Sequence, residues 1–243
     1  MSNPIVRSAY VLHRTAYRES GALVTALCDD DTVIRLIARG LHRKKNPLSP
    51  ILQPFQKVEL SFKPKEGLVN LQSAELSQRP HVFPYQQLAI GYYLNEIIGL
   101  WADKGHQTQG LFDLYARSLA IIEQAIELED PSSIEQGLRQ FEIAYLRMLG
   151  HDLQVEHDAH GRELRENERY RYAIDEGYIH DPQGILGAIL LQESLVNLDD
   201  NDRRAWKQLT RSVINQLLGS KTLKSRALFA QLSQTLMNQR TPT

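Results

Sequence analysis

A chain of 243 residues with 42% hydrophobic and 23% charged residues has the make-up of a folded protein with a sizeable core. No apolar run approaches the roughly 20 residues that a membrane-spanning helix needs, the start Met1-Ser2-Asn3-Pro4-Ile5-Val6-Arg7 has no apolar signal core, and the single cysteine, Cys28, excludes an intramolecular disulfide. A reduced cytoplasmic protein with no membrane contact is expected. The formal net charge of −1 hides an asymmetry: residues 1–80 carry 12 Lys/Arg against 7 Asp/Glu, residues 81–202 carry 8 against 22, and residues 203–243 carry 8 and no acid. Two basic ends around an acidic middle point to an anionic partner at the ends.

Residues 5–76 read as β-structure. Arg7–Ala16, Leu23–Cys28, Thr32–Ala38, Lys57–Phe62 and Leu68–Leu76 are short runs rich in Val, Ile, Leu and Tyr. Turn residues separate them: Glu19-Ser20-Gly21, Asp29-Asp30-Asp31, Gly40, the prolines 47, 50 and 54, and Lys65-Glu66-Gly67. Val58, Leu60 and Phe62 alternate with polar residues and so share one face. Five strands with one longer connection after the third fit a small closed barrel of the OB type, and an SH3-like barrel fits the strand count almost as well. After Gly40 the chain runs into Arg43-Lys44-Lys45, closed by Pro47. Adjacent cations repel one another, so a loop that keeps three of them suits a phosphate backbone; the competing reading is a solvated loop.

Pro80 and Pro84 mark a change of regime. Helices are expected over 85–103, 109–128 and 133–149, where Ile134, Leu138, Phe141, Tyr145 and Leu149 repeat at helical steps. Residues 151–181 look irregular and charged, with the turn composition of a hairpin at Asp175-Glu176-Gly177. Further helices are expected over 182–198, 202–218 and 223–238, with Gly219 ending the second. The fold class is therefore α+β: an N-terminal barrel domain over 1–80, then a helical domain over 81–243 with an irregular insert near 151–181.

Enzymatic chemistry finds little footing. Gly219-Ser220-Lys221-Thr222 lacks the order and the upstream glycine of a phosphate-binding loop and reads as a turn between helices. His157 and His160, with His151 and Asp158, have spacing that permits metal ligation, but structural zinc sites ordinarily use cysteines. No metal, no cofactor and no catalytic residue is expected.

Several short motifs, in order, resemble the RecO family of bacterial recombination mediators over nearly the whole chain. They are Tyr10-Val11-Leu12-His13, Arg35–Gly40 with Arg43-Lys44-Lys45, Leu52-Gln53-Pro54-Phe55, Tyr93-Leu94-Asn95-Glu96, Leu138-Arg139-Gln140-Phe141-Glu142 with Leu149-Gly150, and Leu223-Lys224-Ser225-Arg226-Ala227-Leu228-Phe229. The resemblance implies an OB-fold on a helical domain, binding of single- and double-stranded DNA, and annealing of complementary strands in DNA repair, associated with the nucleoid. It implies docking of the C-terminal tail of the single-stranded DNA-binding protein SSB, and action with RecR to help load RecA, with RecF as a further partner. Many relatives hold zinc on four cysteines after the Leu-Gly motif; here that region has His157-Asp158-Ala159-His160-Gly161 and no cysteine, so packing by Tyr170, Tyr172 and Tyr178 is the substitute that the sequence offers.

OB-folds combine a basic groove with aromatics that stack bases. The basic part is present in Arg39, Arg43, Lys44 and Lys45, joined by Arg14, Arg18 and Lys57. Aromatics are few (Tyr10, Tyr17, Phe55 and Phe62), so phosphate contacts are expected to outweigh stacking. For the SSB tail, Arg139 is the first residue to test, ahead of Lys221, Lys224 and Arg226; an internal salt bridge from Arg139 to Glu142 or Glu135 is nearly as good a reading. A protein adaptor whose barrel binds RNA or protein, without annealing, is the alternative function.

Overall fold

The computed structural model describes residues 3–41, 46–63, 68–101, 108–192, 195 and 198–240. Five strands, β1 (Ile5–Tyr17), β2 (Gly21–Cys28), β3 (Val33–Ala38), β4 (Lys57–Phe62) and β5 (Val69–Leu76), close into a barrel in the order β1-β2-β3-β5-β4. The short helix α1 (Leu48–Ile51) fills the connection between β3 and β4. β3 and β5 pair in parallel, the other neighbours antiparallel, as in an OB-fold. Every second residue points inward, and many are small: Ala9, Val11, Ala22, Val24, Ala26, Leu36, Ala38, Val58, Leu60 and Ala74 form the interior. Alanines at these positions keep a five-stranded barrel narrow enough to pack solid.

Helices follow: α2 (Tyr85–Trp101), α3 (Leu111–Glu127) and α4 (Pro131–Met148), then strands β6 (Arg169–Ala173), β7 (Gly177–His180) and β8 (Ile185–Leu186), the short α5 (Gly187–Leu190), α6 (Asp200–Leu218) and α7 (Lys224–Arg240). Among the described residues no helix is long and apolar enough to cross a membrane. The chain divides into two compact units, Met1–Leu119 with Leu223–Thr243, and Ala120–Thr222.

In the first unit α2 and α7 pack on each other and α2 lies on β1. Gly91 makes the close approach possible, since a Cβ there would come within 2.8 Å of the Phe55 ring. The Asn95 amide donates to the Leu12 carbonyl at 2.6 Å and accepts from the Tyr115 hydroxyl at 2.5 Å, all buried. Asp31, in the turn between β2 and β3, accepts from the backbone N–H of Gly110 at 2.7 Å and of Phe112 at 2.8 Å, capping the start of α3 from the barrel.

In the second unit Asp130 caps α4 through Ser132 and Ser133, and Asp199 caps α6 through Asn201 and Asp202. The hairpin expected at 175–177 is present as β6 and β7, with Asp175 (φ 68°) and Gly177 (φ 96°) both left-handed. A helix over 182–198 is not what forms. Ile185 and Leu186 pair with Tyr170 and Arg169, and among the described residues of this segment only Gly187–Leu190 is helical. The Asp181 side chain takes the Gln183 N–H in a turn, and Gly184 lies where a Cβ would sit 2.2 Å from the Tyr170 carbonyl oxygen. Strand pairing against β6 has overridden the helical pattern of the apolar residues.

Candidate nucleic-acid interface

The outer face of the barrel is only partly covered. The Tyr10 ring packs 5.2 Å from both Phe112 and Tyr115, and Leu12 is tied to α2 through Asn95, so the middle of β1 is sealed. A bulge between Val11 and His13 then shifts the register. Beyond it the alternation is reversed: Arg14 and Ala16 pair with the inward Val24 and Ala22, while His13, Thr15 and Tyr17 pair with Thr25, Leu23 and Gly21 on the outside. Thr25 and Leu23 in turn pair with Arg35 and Ile37 of β3. The uncovered outer face of β1–β3 thus carries His13, Arg35 and Arg39, all exposed, around the half-buried Leu23, Ile37 and Tyr17.

At the end of this face the turn after β1 holds Arg18 in the left-handed region, φ 55°. Its guanidinium lies 5.2 Å from the centre of the Tyr17 ring. Across from it Arg39 donates through Nε to Asn70 at 3.1 Å. Tyr17, Arg18, Glu19, Gly21, Ile37 and Arg39 surround an open cavity of about 570 Å³. Aromatic surface, aliphatic surface and two cations meet here.

Of the barrel residues expected from sequence to contact DNA, Arg18 and Arg39 therefore come together. Arg14 is turned elsewhere, donating to the Ser49 carbonyl of α1 at 3.0 Å. Lys57 is half-buried with Nζ 5.9 Å from the Tyr10 ring and 5.4 Å from the Phe112 ring. Arg43, Lys44 and Lys45 lie outside the described residues. Arg35 and Ile37 were missed, although the alternation Arg35-Leu36-Ile37-Ala38-Arg39 marks an exposed edge of cations on one face.

In the helical region Arg139 is only 7% exposed. It pairs with Glu142 one turn on in α4, and its Nη1 donates to Thr210 of α6 at 2.6 Å. Its Nε is buried without a hydrogen-bond partner. Lys221 is exposed in the turn after α6, whereas Lys224, exposed, and Arg226, half-buried, lie in the first turn of α7.

A zinc ion after the Leu149-Gly150 motif does not fit the residues present. Both Asp158 oxygens are engaged, one by the backbone N–H of His160 and Arg162, the other by the Arg162 side chain at 2.8 Å. Among the described residues no group of three or more His, Cys, Asp or Glu side chains is placed to hold a metal ion. Tyrosines pack the segment: Tyr178 donates to the Leu153 carbonyl at 2.8 Å, Tyr170 accepts from the Arg165 N–H at 3.0 Å, and Tyr172 meets Tyr178 edge-on at 5.3 Å.

Residues 1–79 match the family described as Recombination protein O N terminal, and residues 84–227 the family Recombination protein O C terminal. The chain is 31% identical to the DNA repair protein RecO of Alteromonas mediterranea, across 91% of this chain and 95% of that one. It is 32% identical to DNA repair protein RecO of Haemophilus influenzae (93% and 96% covered) and 34% identical to that of Pasteurella multocida (91% and 93%). Barrel, helical region and both matched segments agree: the chain belongs to the RecO family of DNA repair proteins.

Proposed function

We propose that this protein binds single- and double-stranded DNA on the uncovered outer face of β1–β3 and the adjoining basic run, and anneals complementary strands. The observation that carries this reading is the convergence of Arg18, Arg39 and Tyr17 on one cavity of that face, with Arg35 exposed farther along β3. Cations that follow a phosphate backbone, next to surfaces on which bases stack, bind nucleic acid with little sequence preference. Annealing then needs no covalent step. Neutralised phosphates let two strands approach, and pairing supplies the free energy.

On this reading the protein acts on SSB-coated strands, with RecR, to help load RecA, and the acidic SSB tail docks on the helical region. Such a tail calls for cations near an apolar pocket, and Lys221, Lys224 and Arg226 are the accessible or half-accessible cations among the residues proposed with Arg139. The test is to mix complementary labelled oligonucleotides, bare and SSB-coated, with and without the protein. Faster duplex formation on both substrates supports the proposal; no acceleration on either would leave a binding protein without annealing activity.

A further inference from the structure

We infer that the cavity beside Tyr17 receives one unstacked base of a single strand, and that Tyr17 thereby sets a preference for single strands over duplex. The inference rests on the DNA-binding reading of this face and adds to it what occupies the cavity.

A volume of about 570 Å³ is that of a small-molecule site and accommodates a nucleotide. The lining is more than a phosphate site: Glu19 stands there with the cations Arg18 and Arg39, so an anion seated against the carboxylate is repelled while one at the arginines is held. It suits a base. Tyr17 gives a π surface, Ile37 an apolar one, and the Glu19 carboxylate can accept from an exocyclic amino group. The cations Arg18 and Arg39, both exposed, stand at the cavity where flanking phosphates can meet them.

The arrangement is held in place. Arg18 adopts φ 55°, a conformation that costs a non-glycine residue energy and that the surrounding turn must impose. Gly21 closes that turn tightly: a Cβ there would lie 3.0 Å from the Tyr17 carbonyl oxygen and 3.2 Å from that of Ala38. Arg39 is fixed by Asn70. Bases in a duplex are paired and stacked and cannot enter, so duplex contacts only the cations. A single strand uses both.

The experiment measures binding of the full-length protein to a fluorescein-labelled mixed-sequence oligonucleotide, single-stranded or annealed to its complement, by anisotropy at fixed salt. Tyr17→Leu keeps apolar bulk but removes the ring. It is expected to weaken single-strand binding by roughly 5- to 150-fold, the range for one base–aromatic stack, and to weaken duplex binding far less. Tyr17→Phe, which keeps the ring, retains wild-type affinity for both. Equal losses on both substrates, or no loss on the single strand, would overturn the base pocket while leaving the DNA-binding reading standing. A wild-type protein that binds neither substrate would overturn both.

Discussion

Glu96, midway along α2, accepts from the backbone N–H of Ser225 at 2.9 Å and from its hydroxyl at 2.7 Å, across 129 residues of sequence. The second carboxylate oxygen takes the Lys224 N–H at 2.8 Å. Leu223, just before α7, has no side chain able to cap a helix, and Glu96 supplies the cap from the neighbouring helix. Two family motifs, Tyr93–Glu96 and Leu223–Phe229, are thereby explained as the two halves of one contact.

Replacing Glu96 by Ala leaves three donors at the start of α7 without their acceptor. The expected loss is about 1–2 kcal/mol of unfolding free energy, read as a lower urea midpoint. Faster amide exchange at Lys224 and Ser225 should accompany it. Glu96→Gln, which keeps an acceptor but not the charge, recovers part of this.

Arg139→Ala should cost more. It removes an ion-pair partner of Glu142, which is 2% exposed, and losing one member of a buried ion pair costs about 3–5 kcal/mol. Replacing both Arg139 and Glu142 with apolar residues of similar volume should be much milder than Arg139→Ala. Urea denaturation of the single and double variants checks this, and the affinity of Arg139→Ala for an acidic SSB-tail peptide is informative once its fold is verified.

The turn at 158–162 should respond to acid. The hydrogen bond from the Arg162 side chain, with backbone donors from Arg162 and His160, holds the Asp158 carboxyl down at about 2. A depressed carboxyl contributes its stabilisation above the ordinary value near 3.9, and that contribution is lost as the pH falls through about 2. Titration of the carboxyl by NMR should show this low midpoint, moving up toward the ordinary value in Arg162→Ala. An ordinary midpoint in the intact protein contradicts the ion pair.

Cys28 should be inert in the native protein. Burial, reinforced by the carboxylates of Asp30 and Asp29, pushes its thiol up to about 12, and the reactive thiolate is then absent at neutral pH. A chromogenic disulfide reagent should react only as the barrel opens, faster with added urea. Immediate stoichiometric reaction without denaturant would contradict this burial.

Much of the fold is legible in the residues themselves. Lys57–Phe62 alternates cleanly because one face meets the barrel interior, and Ile134, Phe141 and Tyr145 of α4 are buried as their spacing requires. Where local pattern failed, long-range contacts decided. The 182–198 segment lost its helix to pairing with β6. The site was half legible: the cations could be named, but the bulge after Val11 reverses the faces of β1 and the left-handed Arg18 sets the cavity, and neither has a clear sequence signal. Arg139 showed both of its readings in sequence: the ion pair with Glu142 of the same helix is one of them, and only the bond to Thr210 waits on the packing of α4 and α6.

The central claim is that the barrel binds DNA through phosphate contacts made by its basic residues. Salt titration of DNA affinity tests it most directly, comparing wild type with Arg43→Ala/Lys44→Ala/Lys45→Ala and with that variant carrying Arg39→Ala. Each lost contact should flatten the log–log salt slope by about 0.7 on single strands and about 0.9 on duplex, with stability nearly unchanged because exposed charges contribute little to folding. Slopes and affinities equal to wild type in both variants would mean that DNA binds elsewhere on the protein.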